Sequence, residues 1–173
     1  MSGASLTSAA SCTVCGWLTP PIPMPSLVVV ESERWIVRHH LPPAPIAGWL
    51  QLISRRHVQG PAHLDAIEAA EFGVALSMVS RALEAASGAL RVYAIAFGEG
   101  SQHIHVHLVP RLPARDDTAA WKIADWYRAV ERGEVPPADP AEVTALVDRV
   151  RTGLINATSP TALGWRAPVA VQA

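Results

Sequence analysis

Short apolar runs dominate the first third of the chain, and strands are the element they fit. Residues 26–32 (SLVVVES) and 34–40 (RWIVRHH) are rich in β-branched and aromatic residues. They predict two strands joined by a tight turn at 31–33. After a rigid proline loop, GWLQLISRRH alternates well enough for a third strand that enters the basic group Arg55–Arg56–His57. The period then lengthens. Ile67, Ala70, Val74, Leu76, Val79 and Leu83 track one face of a helix over 64–87, and Gly88 supplies its stop.

Residues 90–97 (LRVYAIAF) predict a fourth strand. QHIHVHLVPR predicts a fifth, ended by Pro110 and Pro113. Two helical segments close the chain. DDTAAWKIADWYRAVERGE has Asp117 near its N-cap, and DPAEVTALVDRVRTGL has Asp139, Pro140 and Glu142 in a capping-box arrangement. The proline-rich GWLTPPIPMPS reads as a connector that cannot be helical. Short turns between strand pairs favour an α+β fold with an antiparallel sheet over a doubly wound one. The expected organisation is a disordered stretch over 1–11, a domain over 12–113, and a C-terminal helical extension with tail over 114–173.

With 173 residues, half of them hydrophobic, the chain is long enough for one substantial core. A formal net charge of −1 gives no electrostatic ground for a nucleic-acid partner. No apolar run approaches a membrane span, and MSGASLTSAAS is a poor secretory signal, so a cytoplasmic location is expected. Cys12 and Cys15 form a C-x-x-C pair. In a reducing compartment that spacing reads as a redox pair or as half of a zinc site.

The densest chemistry lies in GSQHIHVHLVPR, where His103, His105 and His107 alternate with Ile104 and Val106. On a strand all three imidazoles point to one side, and Ile104, Val106 and Leu108 point to the other. Near neutral pH an imidazole serves as nucleophile, acid–base group or metal ligand.

The His-φ-His-φ-His-φ-φ pattern (φ apolar), followed by Pro110–Arg111, resembles the signature of the histidine triad (HIT) family. CTVC resembles the C-x-x-C of zinc-containing members, and GWLQLISRRH resembles their third strand and turn. The likeness spans roughly 12–112. It implies a HIT-like fold with one long helix, and a zinc held by Cys12, Cys15, His57 and His103, as in the related galactose-phosphate uridylyltransferases. Four protein ligands leave no open position, which favours a structural Zn²⁺.

The resemblance further implies nucleotidyl hydrolysis or transfer, on a substrate such as a dinucleoside polyphosphate or a nucleoside phosphoramidate. His105 would be the nucleophile, with its second nitrogen bonded to the His103 carbonyl. His107 would give a hydrogen bond or proton to the leaving group or phosphate. Arg56 or Arg111 could add charge there, but solvated surface positions are the expected reading of both. A homodimer formed through the long helix is the expected assembly.

Two departures stand out. Trp49 occupies a position where many HIT hydrolases carry a further histidine; it would stack on a base or pack in the core. The loop before the triad is only GEGSQ, so phosphate binding would fall to Gly100, Ser101 and Gln102. Two other readings follow from these departures. One is a HIT-like enzyme recruited to a different acid–base or metal-assisted reaction in specialised metabolism. The other is a non-catalytic, zinc-stabilised nucleotide-binding module.

Overall fold

The computed structural model describes residues 8–98, 101–157 and 163–168. Five strands form one antiparallel sheet in the order β1-β2-β3-β5-β4, with β1 Val28–Glu31, β2 Trp35–His39, β3 Leu50–Ser54, β4 Arg91–Ile95 and β5 His105–Arg111. The first three strands are a meander. The chain then crosses through the long helix α2 (Ala66–Ser87) and returns as a hairpin whose second strand inserts beside β3. The histidine strand is therefore paired on both sides.

Antiparallel pairing places directly opposed residues on one face. Val37, Leu50, Leu52, Val106 and Leu108 share a core with α2 and with α4 (Pro140–Asn156). Val143, Leu146, Val147, Val150 and Leu154 of α4 enter that same core. The opposite face carries the rows Ile36–Ile53–His105 and Arg38–Gln51–His107–Ile95. Two short helices cover its ends. At one end α1 (Thr13–Leu18) joins Cys12 and Val14 to Val28, Ile36 and Ile53. At the other, α3 (Ile123–Glu131) joins Ile123 and Tyr127 to Trp49, Tyr93 and Val109. Both triad histidines of β5 lie between these two covers.

Several boundaries differ from the sequence reading, each for a local reason. Gly16–Trp17–Leu18 is helical because the first proline comes only at position 20, beyond the Thr19 cap. A 3-10 turn at Ala9–Ser11 precedes that helix. Pro110 lies inside β5. The Arg111 carbonyl accepts from Leu90 N–H on the β4 side, so the Pro110 nitrogen faces the β3 side, past the last β3–β5 pair at Leu50↔Leu108. No ladder bond is lost there. Residues 116–118 form a 3-10 turn, and α3 begins only at Ile123.

The buried side of α2 runs through Glu68, Ala75, Met78, Val79 and Leu83, leaving Ile67 exposed. Asp65 caps this helix by accepting from Ile67 and Glu68 N–H, and Glu68 answers with a bond to Asp65 N–H. Gly88 ends it at φ 67°.

Gly48 matters for the site because it precedes Trp49. Its φ is +93°, and an added Cβ would sit 2.6 Å from Leu146 Cδ2. Gly48→Ala is expected to cost about 2–4 kcal/mol through backbone strain plus overpacking, read as a lowered urea midpoint. Gly73→Ala, in open space on α2, should shift the midpoint the other way, by about 0.5–1 kcal/mol.

Candidate functional site

Cys12, Cys15, His57 and His103 converge from three separate parts of the chain, their ligand atoms all within 4.8 Å of one another. A tetrahedral zinc with Zn–S of about 2.3 Å and Zn–N of about 2.0–2.1 Å separates a sulfur from a nitrogen ligand by about 3.6 Å. The Cys12 Sγ–His103 Nδ1, Cys15 Sγ–His57 Nδ1 and Cys15 Sγ–His103 Nδ1 distances are 3.7, 3.3 and 3.4 Å. The His103 ring is fixed from behind, since its Nε2–H donates to the Ser54 carbonyl at 2.7 Å. That leaves the Nδ1 lone pair toward the sulfurs, the usual outer-shell support of a metal-binding histidine.

The two adjacent sulfurs resist ionising together. Burial opposes ionisation of Cys12, but hydrogen bonds from Ser101 and from backbone amides outweigh it and lower the thiol. Cys15 is pushed up to about 11 by burial and by Cys12 beside it. The donor set thus fits zinc. It is the only group of three or more such ligands among the described residues, and the three triad histidines do not converge on a metal of their own.

His103 lies just ahead of β5. Ile104 N–H bonds to the Val58 carbonyl and the Ile104 carbonyl accepts from Ser54 N–H, which turns residues 103–104 toward the metal-ligand loops. The other two triad members line a cleft of about 470 Å³ with Val14, Trp17, Gln51, Phe97 and Tyr127 among its walls. His105 Nδ1–H donates to the His103 carbonyl at 2.7 Å. Its Nε2 therefore keeps a lone pair. His107 is buried, and its Nδ1 accepts the Trp49 indole N–H at 2.7 Å. Burial, then the neighbouring His105 and His40, pull its pKa down to about 3.

The loop ahead of the histidine strand is only partly described. Ser101 lines the cleft and its hydroxyl lies 3.4 Å from Cys12 Sγ, while Gly100 lies outside the described residues. Gln102 is described but is not among the cleft walls. Trp49 is a wall residue, almost wholly buried. Its indole N–H serves His107. Neither Arg56 nor Arg111 is among the cleft walls. Arg56 pairs with the buried Glu68, and Arg111 donates to the Arg115 carbonyl and Thr118 Oγ1.

Several cleft positions escaped sequence reading. His40 lines the cleft, with Nδ1–H bonded to the Leu41 carbonyl and its pKa lowered chiefly by burial. From α3 come Ala124, Tyr127, Arg128 and Glu131. Tyr127 is pushed up to about 12 by burial and by its hydrogen bond with Glu131. The floor holds Gln51, whose Oε1 is buried without a partner among the described residues. Trp121, by contrast, is 93% exposed, and Trp126 donates to the Pro45 carbonyl.

His39 is fully buried. Its Nε2 accepts Gly48 N–H and its Nδ1–H donates to the His40 carbonyl, both at 2.9 Å. Both nitrogens are used in the neutral ring, and burial drives the pKa to about 4. An unfolded histidine titrates near 6.5, so the unfolded chain binds the proton first as pH falls. The contribution is whole above about pH 6.5 and is lost toward pH 4, at about 1.4 kcal/mol per pH unit. Urea unfolding at several pH values should show a shallower acid slope in His39→Gln than in the parent.

No protein-family model matches the chain, and no curated protein matches it by sequence. Solved structures do match. A HIT-like protein from Bartonella henselae, described as involved in cell-cycle regulation, superposes with a TM-score of 0.62 at 14% identity, covering 86% of this chain and 100% of that one. A hypothetical histidine triad nucleotide-binding protein from Sulfolobus tokodaii gives 0.62 at 18% identity, over 84% and 93%. A zinc-bound histidine triad family protein from Mycobacterium smegmatis gives 0.61 at 17% identity, over 86% and 96%. The chain has the HIT-like α+β fold. Among the described residues, no helix is long and apolar enough to cross a membrane.

Proposed function

We propose that the chain is a histidine triad enzyme that hydrolyses or transfers a nucleotidyl group through a nucleotidyl–His105 intermediate. The observation that carries this reading is the His105 Nδ1–H bond to the His103 carbonyl. It holds the Nε2 lone pair available in a cleft that also presents His107. A fixed tautomer with a free second nitrogen is what nucleophilic imidazole chemistry needs.

Cys12, Cys15, His57 and His103 hold a structural zinc in this reading. The ion supplies charge to balance the thiolates and ties α1 to the sheet. The chain's own residues do the rest. His103 orients His105 through its carbonyl, and Ser101 on the cleft wall approaches the phosphate. Trp17, Trp49 and Phe97 furnish apolar walls for a base. Residues 12–113 form the catalytic unit and 114–173 add one wall of the cleft and part of the core. The reading also carries a homodimer and a cytoplasmic location; light scattering on the zinc-loaded protein checks the first.

The test is to incubate the protein with a labelled adenylyl donor and map the label after a rapid quench. Label on the peptide holding His105 is the expected result. Sustained turnover with no label at His105 would overturn the mechanism. The Glu131–Tyr127 pair on the same cleft favours a second reading, acid–base chemistry on a non-nucleotide substrate. Absence of any nucleotide binding to the folded, zinc-loaded protein would select it.

A further inference from the structure

We infer that Trp49 is a positioning residue that locks His107 as a neutral Nε2–H donor, so that this site expels only leaving groups that depart unprotonated. The inference rests on the nucleotidyl-transfer reading for its substrate consequence, but not for the lock itself.

An indole N–H can only donate. With Trp49 Nε1 at 2.7 Å from His107 Nδ1, that nitrogen must hold a lone pair. A neutral imidazole then has its single proton on Nε2. Protonating Nδ1 would set two N–H groups against each other, with both rings buried. The rings meet edge to face, at 5.8 Å between centroids, so the bond comes with packing on both sides.

The surroundings do not favour a charge on His107. His105 precedes it on β5, Gln51 lies opposite on β3, His40 comes from the segment after β2 and Phe97 from the segment after β4. From α3, Tyr127 bonds with Glu131, Glu131 acts on His40, and Arg128 pairs with Asp125. The depressed pKa of His107 agrees with this geometry.

The chemical consequence follows from proton balance. The His105 Nε2 lone pair attacks phosphorus, a P–N bond forms, and the bond to the leaving atom breaks with its electron pair on that atom. His105 keeps its Nδ1 proton and is cationic in the intermediate. Water then attacks phosphorus, the P–N pair returns to Nε2, and the surplus proton goes to solvent. His107 stabilises the phosphoryl oxygens through Nε2–H in both steps. Donating that proton outright would leave a buried imidazolate, so His107 cannot serve as general acid. A nitrophenolate or a phosphate departs without help, whereas an amine must be protonated as it leaves.

The test has two arms on the full, zinc-loaded chain. In the first, ¹⁵N-histidine spectra, with His107 assigned from the His107→Asn variant, should show Nδ1 unprotonated and Nε2 protonated throughout pH 5–8. Trp49→Phe should restore titration of His107 toward the ordinary histidine range. Titration of His107 in the parent within that window overturns the lock.

In the second arm, adenosine 5′-(4-nitrophenyl phosphate) and adenosine 5′-phosphoramidate share one nucleotidyl group and differ in the leaving atom. The parent should favour the nitrophenyl ester by about 10²-fold or more in kcat/KM, the usual worth of a general acid. Trp49→Phe should narrow that gap; a merely structural Trp49 would slow both substrates alike. Equal turnover of the two by the parent overturns the leaving-group inference and leaves the nucleotidyl mechanism standing. No turnover and no label with either overturns the mechanism, and the spectra still decide the lock. If Trp49→Phe does not fold, the two measurements on the parent suffice.

Discussion

Replacing Cys15 by serine is expected to strip zinc from the chain and to lower its unfolding free energy by on the order of 5 kcal/mol. Cys15 Sγ lies near both His57 Nδ1 and His103 Nδ1, and its loss removes a thiolate from a four-donor set. The His57 and His103 segments are already tied to each other by backbone bonds at Ser54, Val58 and Ile104, but the α1 segment has few other ties to the sheet. A six-residue helix such as α1 is far below the length that is stable in water on its own. Its packing partners in the small cluster are Val28, Ile36 and Ile53, with Cys12 itself a member. The cost stays below the ~10–16 kcal/mol of isolated zinc-finger peptides, because the sheet has an independent core with α2 and α4. Metal analysis should fall from one zinc per chain to none, with a matching drop in the thermal midpoint. His107→Ala should keep its zinc, because His107 is not in the donor set. A Cys15→Ser protein that retains one zinc and an unchanged midpoint would refute the assignment.

The same cluster shows why part of this molecule could be read from its residues and part could not. The alternation of His105, Val106, His107 and Leu108 is a local property of one strand, and the sheet reproduces it face by face. Chain order and the long helix were legible for the same reason: period and punctuation are short-range. His103 continues the alternation by letter but sits ahead of the strand. Only the backbone bonds to Ser54 and Val58 reveal that. Tyr127 and Glu131 were invisible as site residues because nothing near position 127 signals which face of the sheet α3 will cover. His40 follows His39 in sequence, yet one lines the cleft and the other is sealed behind Gly48. Trp49 stood out as a departure from a histidine. Its partner became evident only when β3 and β5 were paired.

His105→Ala is expected to lower kcat/KM for nucleotidyl transfer by about 10⁴-fold or more, the scale seen when a covalent nucleophile is removed. Zinc content and the unfolding midpoint should hardly change. The His105 ring makes no metal contact, and its one bonded nitrogen donates to a carbonyl that the variant leaves in place. KM should move little if the cleft walls, rather than the imidazole, hold the ground-state substrate. His107→Asn should be the milder variant, losing about 10²–10³-fold, because it removes one donor to the developing charge and not the attacking group. His103→Ala should combine both defects: zinc loss and a disordered nucleophile. Added imidazole can enter the space vacated at position 105 and attack phosphorus directly, restoring part of the rate to His105→Ala. Zinc content, not rescue, tells His103→Ala apart, because imidazole can also refill a vacated metal position. Full activity in His105→Ala would leave the cleft without its proposed nucleophile and shift the chemistry to the His40 and Glu131 side.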